Sequence, residues 1–397
     1  MTDLHLGHRQ YGSMEREKDF YFQLQECVSE LNKHACDIVI IGGDIFDKPN
    51  PSPESMHFYK DFISNLSANV TLAIKGNHTM LLRDNHYSVD EFFNDNDIDG
   101  YCLLEDSSWS NDDVWVDGIT YRGNSQLEDF KDVQKKLASI ESHNQYRILV
   151  IHQAVSEFCG FVGEDLSIQD FDTKPYDIII CGHIHSHHLS LLNDDTWFLQ
   201  PGSIERLNTT EARDESENGK GVWTIDTEKN EINFYPVESR RKFFLGDIDI
   251  KDESDIKKHL EDVLNLCSEL QCLPVMAYSY HDYIGNRMKI SDMITELSAN
   301  ALLTNCNIYD ETEEDVEYDI PEDGMLTIDE LFRQQDDLSE SEQQLAIDIH
   351  NAFKRDAGTI ESLLSDYKNK HFNTVQEPDE EEDDFDLEEM IAFFDNL

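Results

Sequence analysis

The chain has 397 residues, with 31 Lys and Arg against 84 Asp and Glu, a formal net charge of −53. At roughly 100–200 residues per domain this length suggests two to three domains, and a hydrophobic content of 39% supplies a core. No run reaches the ~18 consecutive apolar residues of a membrane span, the N-terminus has no signal-peptide pattern, and the eight cysteines form no Cys-x-x-Cys pair. A membrane protein, a disulfide framework and a structural zinc site are thereby disfavoured, and a reducing cytoplasm is the simplest compartment.

In chain order, a helix is predicted from near Ser13, because Phe20, Leu24, Cys27, Val28 and Leu31 share one face. Four short apolar runs then read as strands covered on both sides: Ile38–Ile41, Val70–Ile74, Ile148–Ile151 and Ile178–Ile180. Helical spacing between strands of this kind indicates α/β layering. Val222–Ile225 and Ile232–Val237 read as a closing hairpin. A small α+β module follows: helix Asp255–Leu270, strand Val275–Tyr280, helix Ser291–Ala301 and strand Leu303–Tyr309.

The predicted organisation is a body over 1–240, a module over 241–310, an acidic linker over 311–324, a helical region over 325–372 and a disordered tail over 373–397. Asp310–Gly324 holds nine acidic residues and Glu377–Leu397 eleven, with no Lys or Arg in either. The rest of the chain is acidic as well. That pattern fits a saline host or a lineage bias equally.

The chemistry lies immediately after the buried runs. Ile38–Ile41 leads into Gly42-Gly43-Asp44, and Val70–Ile74 into Gly76-Asn77-His78. Ile148–Ile151 leads into His152, and Ile178–Ile180 into Gly182-His183-Ile184-His185, while the chain opens with Asp3-x-His5. Open α/β sheets build their sites at such C-terminal strand ends. Carboxylate, amide and imidazole donors suit Mn²⁺, Fe²⁺ or Zn²⁺, with Mn²⁺ favoured by the oxygen content. The set Asp3, His5, Asp44, Asn77, His152, His183 and His185 exceeds what one ion needs. Asp44 is the natural bridge between two ions roughly 3.5–4 Å apart.

This ordered set resembles the calcineurin-like metallophosphoesterases, and within them the Mre/SbcD type of double-strand-break repair nuclease, with an archaeal and eukaryotic leaning. The narrower resemblance rests on Asp3-Leu-His-Leu-Gly-His-Arg-Gln10, Gly43-Asp-Ile-Phe-Asp47 with Pro51-Ser-Pro53, Ile151-His-Gln153, and Pro201-Gly-Ser-Ile-Glu-Arg206. It implies a β-sandwich flanked by helices, a capping and DNA-binding module, and C-terminal helices. It also implies two Mn²⁺ ions, one held by Asp3, His5, Asp44 and His185, the other by Asp44, Asn77, His152 and His183. His78 is then the general acid at the leaving oxygen or a stabiliser of the phosphate. The implied activity is exonuclease and endonuclease hydrolysis at DNA ends.

Two departures from the family carry expectations. The strand that precedes Asp-x-His in the family is missing, which puts the placement of Asp3 and His5 in question. Thr79 stands where the family has an acidic residue, which deprives His78 of a charged partner for which Asp84 is the substitute. The resemblance also implies an SMC-like coiled-coil ATPase of the Rad/SbcC type, bound through 325–372, and a homodimer. Met390, Phe393 and Phe394 resemble a sliding-clamp motif. Arg9, Arg16, Lys48, Arg83 and Arg206, with Lys75 and Arg122, are the candidate phosphate contacts. Two rival readings are another calcineurin-like phosphodiesterase or protein phosphatase, and a catalytically impaired scaffold.

Overall fold

A computed structural model of the chain describes residues 1–79, 88–95, 98–141, 145–159, 166–170, 172–192, 195–214 and 219–311. The predicted linker beyond 311, the helical region 325–372 and the tail with Met390, Phe393 and Phe394 lie outside these residues. Arg83 and Asp84 do too.

Helix α1 (Met14–Lys33) leads into β1 (Ile38–Ile41), α2 (Pro53–Asn65), β2 (Val70–Ala73), α3 (Val89–Asp95) and β3 (Tyr101–Leu103). The three strands form a parallel sheet. Ser13 caps α1 by accepting the Arg16 N–H, and Ser52 caps α2, which has Pro53 in its first turn. Then come β4 (Ser107–Ser110), β5 (Val114–Gly118), α4 (Leu127–Ala138), β6 (Tyr146–His152), α5 (Ser156–Cys159), β7 (Ile178–Gly182), β8 (His188–Leu192) and β9 (Thr196–Gln200). These strands make a six-stranded sheet in the order β4-β5-β6-β7-β9-β8.

Alternate side chains of each continuous run face two different cores. Ile148 and Val150 of β6 join Ile178 and Ile180 of β7 and Leu72 of β2 in one cluster between the sheets. Leu149, Ile151, Ile179 and Cys181 point the other way, against Phe130 and Leu137 of α4. Val39 and Ile41 of β1 pack with Leu24 and Val28 of α1 and Tyr59 and Phe62 of α2. Two sheets therefore lie between two helical layers. A strand buried on both faces has no polar side, which is why its run is unbroken.

No strand is assigned ahead of β1 among the described residues, yet the opening segment is held like one. Met1 N donates to Ile40 O, Gly42 N to Met1 O, Asp3 N to Gly43 O, His5 N to Asp44 O and Leu6 N to Ile45 O, each at 3.0–3.1 Å. Leu6 bridges Phe46 in parallel. The doubt over Asp3 and His5 is thus corrected: this register fixes both, and both are fully buried.

Helix α6 (Thr209–Asp214) precedes the hairpin β10 (Gly221–Asp226) and β11 (Glu231–Pro236). The module consists of β12 (Phe243–Ile250), α7 (Glu253–Ser268), β13 (Val275–Asp282), α8 (Arg287–Ser298), β14 (Leu303–Thr304) and β15 (Asn307–Asp310). Asp252 and Asp255 form a capping box at the start of α7. Strand β12 has no counterpart in the sequence reading, because Asp247, Asp249 and Gly246 interrupt its apolar pattern. It forms one edge of the module's sheet, parallel to β13. The expected strand Leu303–Tyr309 divides in two, since Asn305 N turns to Met276 O between the pairings of β14 and β15 with β13.

Body and module meet at a buried charge network. Arg16 Nη1 and Arg241 Nε both donate to Asp19 Oδ2 at 2.6 Å, and Arg241 also donates to Leu273 O in the module.

Candidate metal centre

The segments ending β1, β2, β6 and β7 and the opening segment bring all seven predicted ligands to one place. On one side, His5 Nε2 and His185 Nε2 lie 3.1 Å apart, with Asp3 Oδ1 3.9 Å from His5 and 3.8 Å from His185. On the other, Asn77 Oδ1 is 3.1 Å from His152 Nε2 and 2.9 Å from His183 Nδ1. Asp44 joins the two: its Oδ2 is 3.1 Å from His152 Nε2 and 3.9 Å from His5 Nε2. Among the described residues, three groups have metal-ligand spacing: Asp3, His5 and His185; His5, Asp44 and His78; Asp44, His152 and His183.

Four of the seven sit where L-residues seldom go. Asp3 has φ 53°, His5 44°, Asp44 48° and His183 92°. Such backbone costs about 1–3 kcal/mol per residue and persists only where its surroundings over-determine it. Here the parallel hydrogen bonds of Met1–Leu6 do so, together with the His183 N–H, which donates to both Asp3 oxygens at 3.2 Å. Thr2 Oγ1 adds bonds to Asp3 Oδ2 at 2.7 Å and Gly42 O at 2.9 Å. The glycines keep the approach open. A Cβ on Gly43, itself at φ 99°, would strike the His152 ring, and one on Gly76 would strike Asp44.

Each outward-facing ring nitrogen decides which inward one is free. His152 Nδ1 donates to Gly42 O at 2.8 Å, His185 Nδ1 to Glu211 Oε1 at 2.8 Å, and His78 Nδ1 to Asp47 O at 2.8 Å. All three then present Nε2 to the cluster. Asp47 Oδ1 also takes His8 Nδ1 at 2.8 Å and lies 3.6 Å from His5 Nδ1. Burial opposes ionisation of Asp44, yet His152, His5 and His78 beside it hold its carboxyl well below the usual range. Burial lowers His152, but Asp44 and Asp3 outweigh it and raise the ring to about 9. Burial and His152 push His183 down to about 4. Imidazoles, carboxylates and an amide oxygen at these spacings fit hard or borderline divalent cations. Cys181 is no part of the set, because its Sγ donates to Gln153 O at 3.1 Å.

His78 does not lack an orienting partner. Its main-chain N–H binds Asp44 Oδ1 at 2.9 Å, and the Asp47 carbonyl sets its ring. Thr79 instead donates to buried Asp90. The candidate phosphate contacts divide. Arg16 departs from expectation: it is fully buried and donates to Gln10, Asp19 and Arg206 O, so it is a structural tie and not a surface contact. Arg9 pairs with Glu17 at 2.6 Å, Lys75 with Glu91 and Glu105, and Arg122 with Asp106 and Asp129. Lys48 is exposed, and Arg206 lies over the Phe243 ring.

Sequence reasoning assigned no role to Asp47 or Glu211. Asp47 sits inside a quoted motif, which was its only signal. Glu211 lies in a polar stretch with none.

Among the described residues no helix is long and apolar enough to cross a membrane. Residues 1–187 match the calcineurin-like phosphoesterase family. The DNA double-strand break repair protein Mre11 of Methanococcus maripaludis is 31% identical over 304 residues, covering 72% of this chain and 80% of that protein. Its namesake in Methanocaldococcus jannaschii is 25% identical over 284 residues, covering 70% and 74%, and that of Sulfolobus acidocaldarius 26% over 281, covering 67% and 71%. With strand ends that gather imidazole and carboxylate donors, the chain belongs to the Mre11 family of double-strand-break repair nucleases, metal-dependent members of the calcineurin-like phosphoesterases.

Proposed function

We propose that the chain hydrolyses DNA phosphodiesters at broken ends with two divalent cations, Mn²⁺ matching the donors best. Asp3, His5, Asp44 and His185 would hold one, and Asp44, Asn77, His152 and His183 the other. The observation that carries this reading is the position of Asp44 Oδ2, which faces His152 Nε2 on one side and His5 Nε2 on the other. When bound, such a pair polarises the phosphate and makes a water-derived nucleophile available at neutral pH.

The protein's own part is orientation and proton delivery. The Gly42 and Asp47 carbonyls and the Glu211 carboxylate hold three rings with Nε2 inward. His78, half-exposed and with Nε2 4.0 Å from Asp44 Oδ2, is the group that can reach a leaving oxygen. Water oxygen bonds to phosphorus as the bond from phosphorus to the leaving oxygen breaks; doubly protonated His78, its Nδ1–H on the Asp47 carbonyl, transfers the Nε2 proton to that oxygen, and the proton given up by the water passes to solvent. Arg9, Lys48, Arg206 and Arg83 are proposed phosphate contacts, the last outside the described residues. The relatives' name supports broken DNA as substrate. Partnership with a coiled-coil ATPase through 325–372, a homodimer, and clamp binding through Met390, Phe393 and Phe394 are further proposals from the family resemblance and the tail sequence.

The test is cleavage of an end-labelled linear duplex by the full chain with and without Mn²⁺, run beside a phosphopeptide and a cyclic nucleotide. Manganese-dependent shortening of the duplex alone is expected. Turnover of the phosphopeptide or cyclic nucleotide without the duplex would replace the nuclease reading with a phosphatase or phosphodiesterase one.

A further inference from the structure

Of the three imidazoles that turn Nδ1 outward, His152 and His78 give that proton to main-chain carbonyls, whereas His185 gives it to a carboxylate, Glu211 Oε1, at 2.8 Å. That carboxylate is itself fixed. Glu211 Oε2 accepts the Leu207 N–H at 3.0 Å, Asn208 Nδ2 donates to Oε1 at 3.2 Å, and the Glu211 N–H binds Asn208 Oδ1 at 2.9 Å. The main chain of His185 is clamped as well. Its carbonyl accepts Lys220 Nζ at 2.9 Å and the Ser203 N–H at 3.0 Å. Backbone and ring are thus both held, with Nε2 3.1 Å from His5 Nε2 and 3.8 Å from Asp3 Oδ1.

We propose that Glu211 is a positioning residue that sets the tautomer and orientation of His185 and raises the basicity of its Nε2 toward a divalent cation. The inference rests on the metal reading above and deepens it. A main-chain carbonyl orients a ring, but a carboxylate also lends it negative charge, so the ligand becomes a stronger donor. His152 and His183 are held by other groups, so the effect belongs to the His5 side of the cluster. Loss of Glu211 should make the two cation sites unequal.

Calorimetric titration of the metal-free full chain with Mn²⁺ alone tests this, with no turnover needed. Glu211→Gln preserves shape and removes charge. One of two binding events should weaken roughly 10–100-fold while the other stays put. In a His185→Ala background the same change should have no further effect. Equal affinities in Glu211→Gln and the unsubstituted chain, or an equal weakening in the His185→Ala background, would overturn the assignment. An unsubstituted chain that takes up no Mn²⁺ would instead sink the metal reading, and this inference with it.

Discussion

In the body, the opening segment and the strand ends gather buried Asp3, His5, Asp44 and His152, each imidazole within 4 Å of both carboxylates, with Asp3, His5 and Asp44 on backbone bent to positive φ. In the module, the core cluster is apolar and includes Ile250, Met276, Tyr280, Ile290 and Leu297, and the start of α7 carries an ordinary capping box. The module's apolar packing lowers free energy by itself. The body's cluster raises it, because desolvated charge and strained dihedrals both oppose folding. Such an arrangement is stable only inside a large packed scaffold, and here two sheets and two helical layers surround it. The contrast separates the part of the molecule shaped for stability from the part shaped for binding.

Asp44→Ala should strike hardest, since it removes the group shared by both halves of the cluster. Duplex cleavage in Mn²⁺ should fall roughly 10³-fold, and calorimetry should count fewer than two bound ions. His78→Ala comes next. Cleavage should drop about 10²-fold or more while Mn²⁺ stoichiometry holds; a lost ion would make His78 a ligand instead of a proton donor. Leu297→Ala probes the other side of the contrast. It should cost about 3 kcal/mol in denaturant unfolding and leave Mn²⁺ affinity alone.

Asp90 gives a pH signature. Burial raises its carboxyl from 3.8 to about 6, so between those values the unfolded chain has released the proton that the folded chain keeps. Stability should therefore fall as pH rises from about 4 to 6, by about 2–3 kcal/mol, and level off above. Asp90→Asn should flatten that slope in urea titrations; an unchanged slope would assign it to other groups. Lys48→Ala should have the smallest effect: a few-fold loss of DNA affinity, with the slope of log affinity against log salt shallower by about 1. An unchanged slope would remove Lys48 from the DNA path.

Strand positions were legible because burial on both faces leaves an uninterrupted apolar run, as in Ile38–Ile41 and Ile178–Ile180. The ligands were legible because each follows such a run directly, so strand and ligand travel together in the chain. Strand β12 was not, since an edge strand with Asp247 and Asp249 among its side chains has no continuous run to betray it. Arg16 was misread because nothing local distinguishes an exposed arginine from one that Asp19 and Arg206 O hold in the interior.

The order of residues along the chain therefore determined the layered α/β type, the seven candidate ligands and the acidity of the surface, all of which depend on local pattern or composition. Only the tertiary structure decided that Met1–Leu6 keeps strand-like register beside β1, that Asp47 and Glu211 turn the rings, and that Asp44 lies between two sets of donors. Those outcomes depend on contacts between residues 26 to 180 positions apart, where sequence spacing carries no distance information.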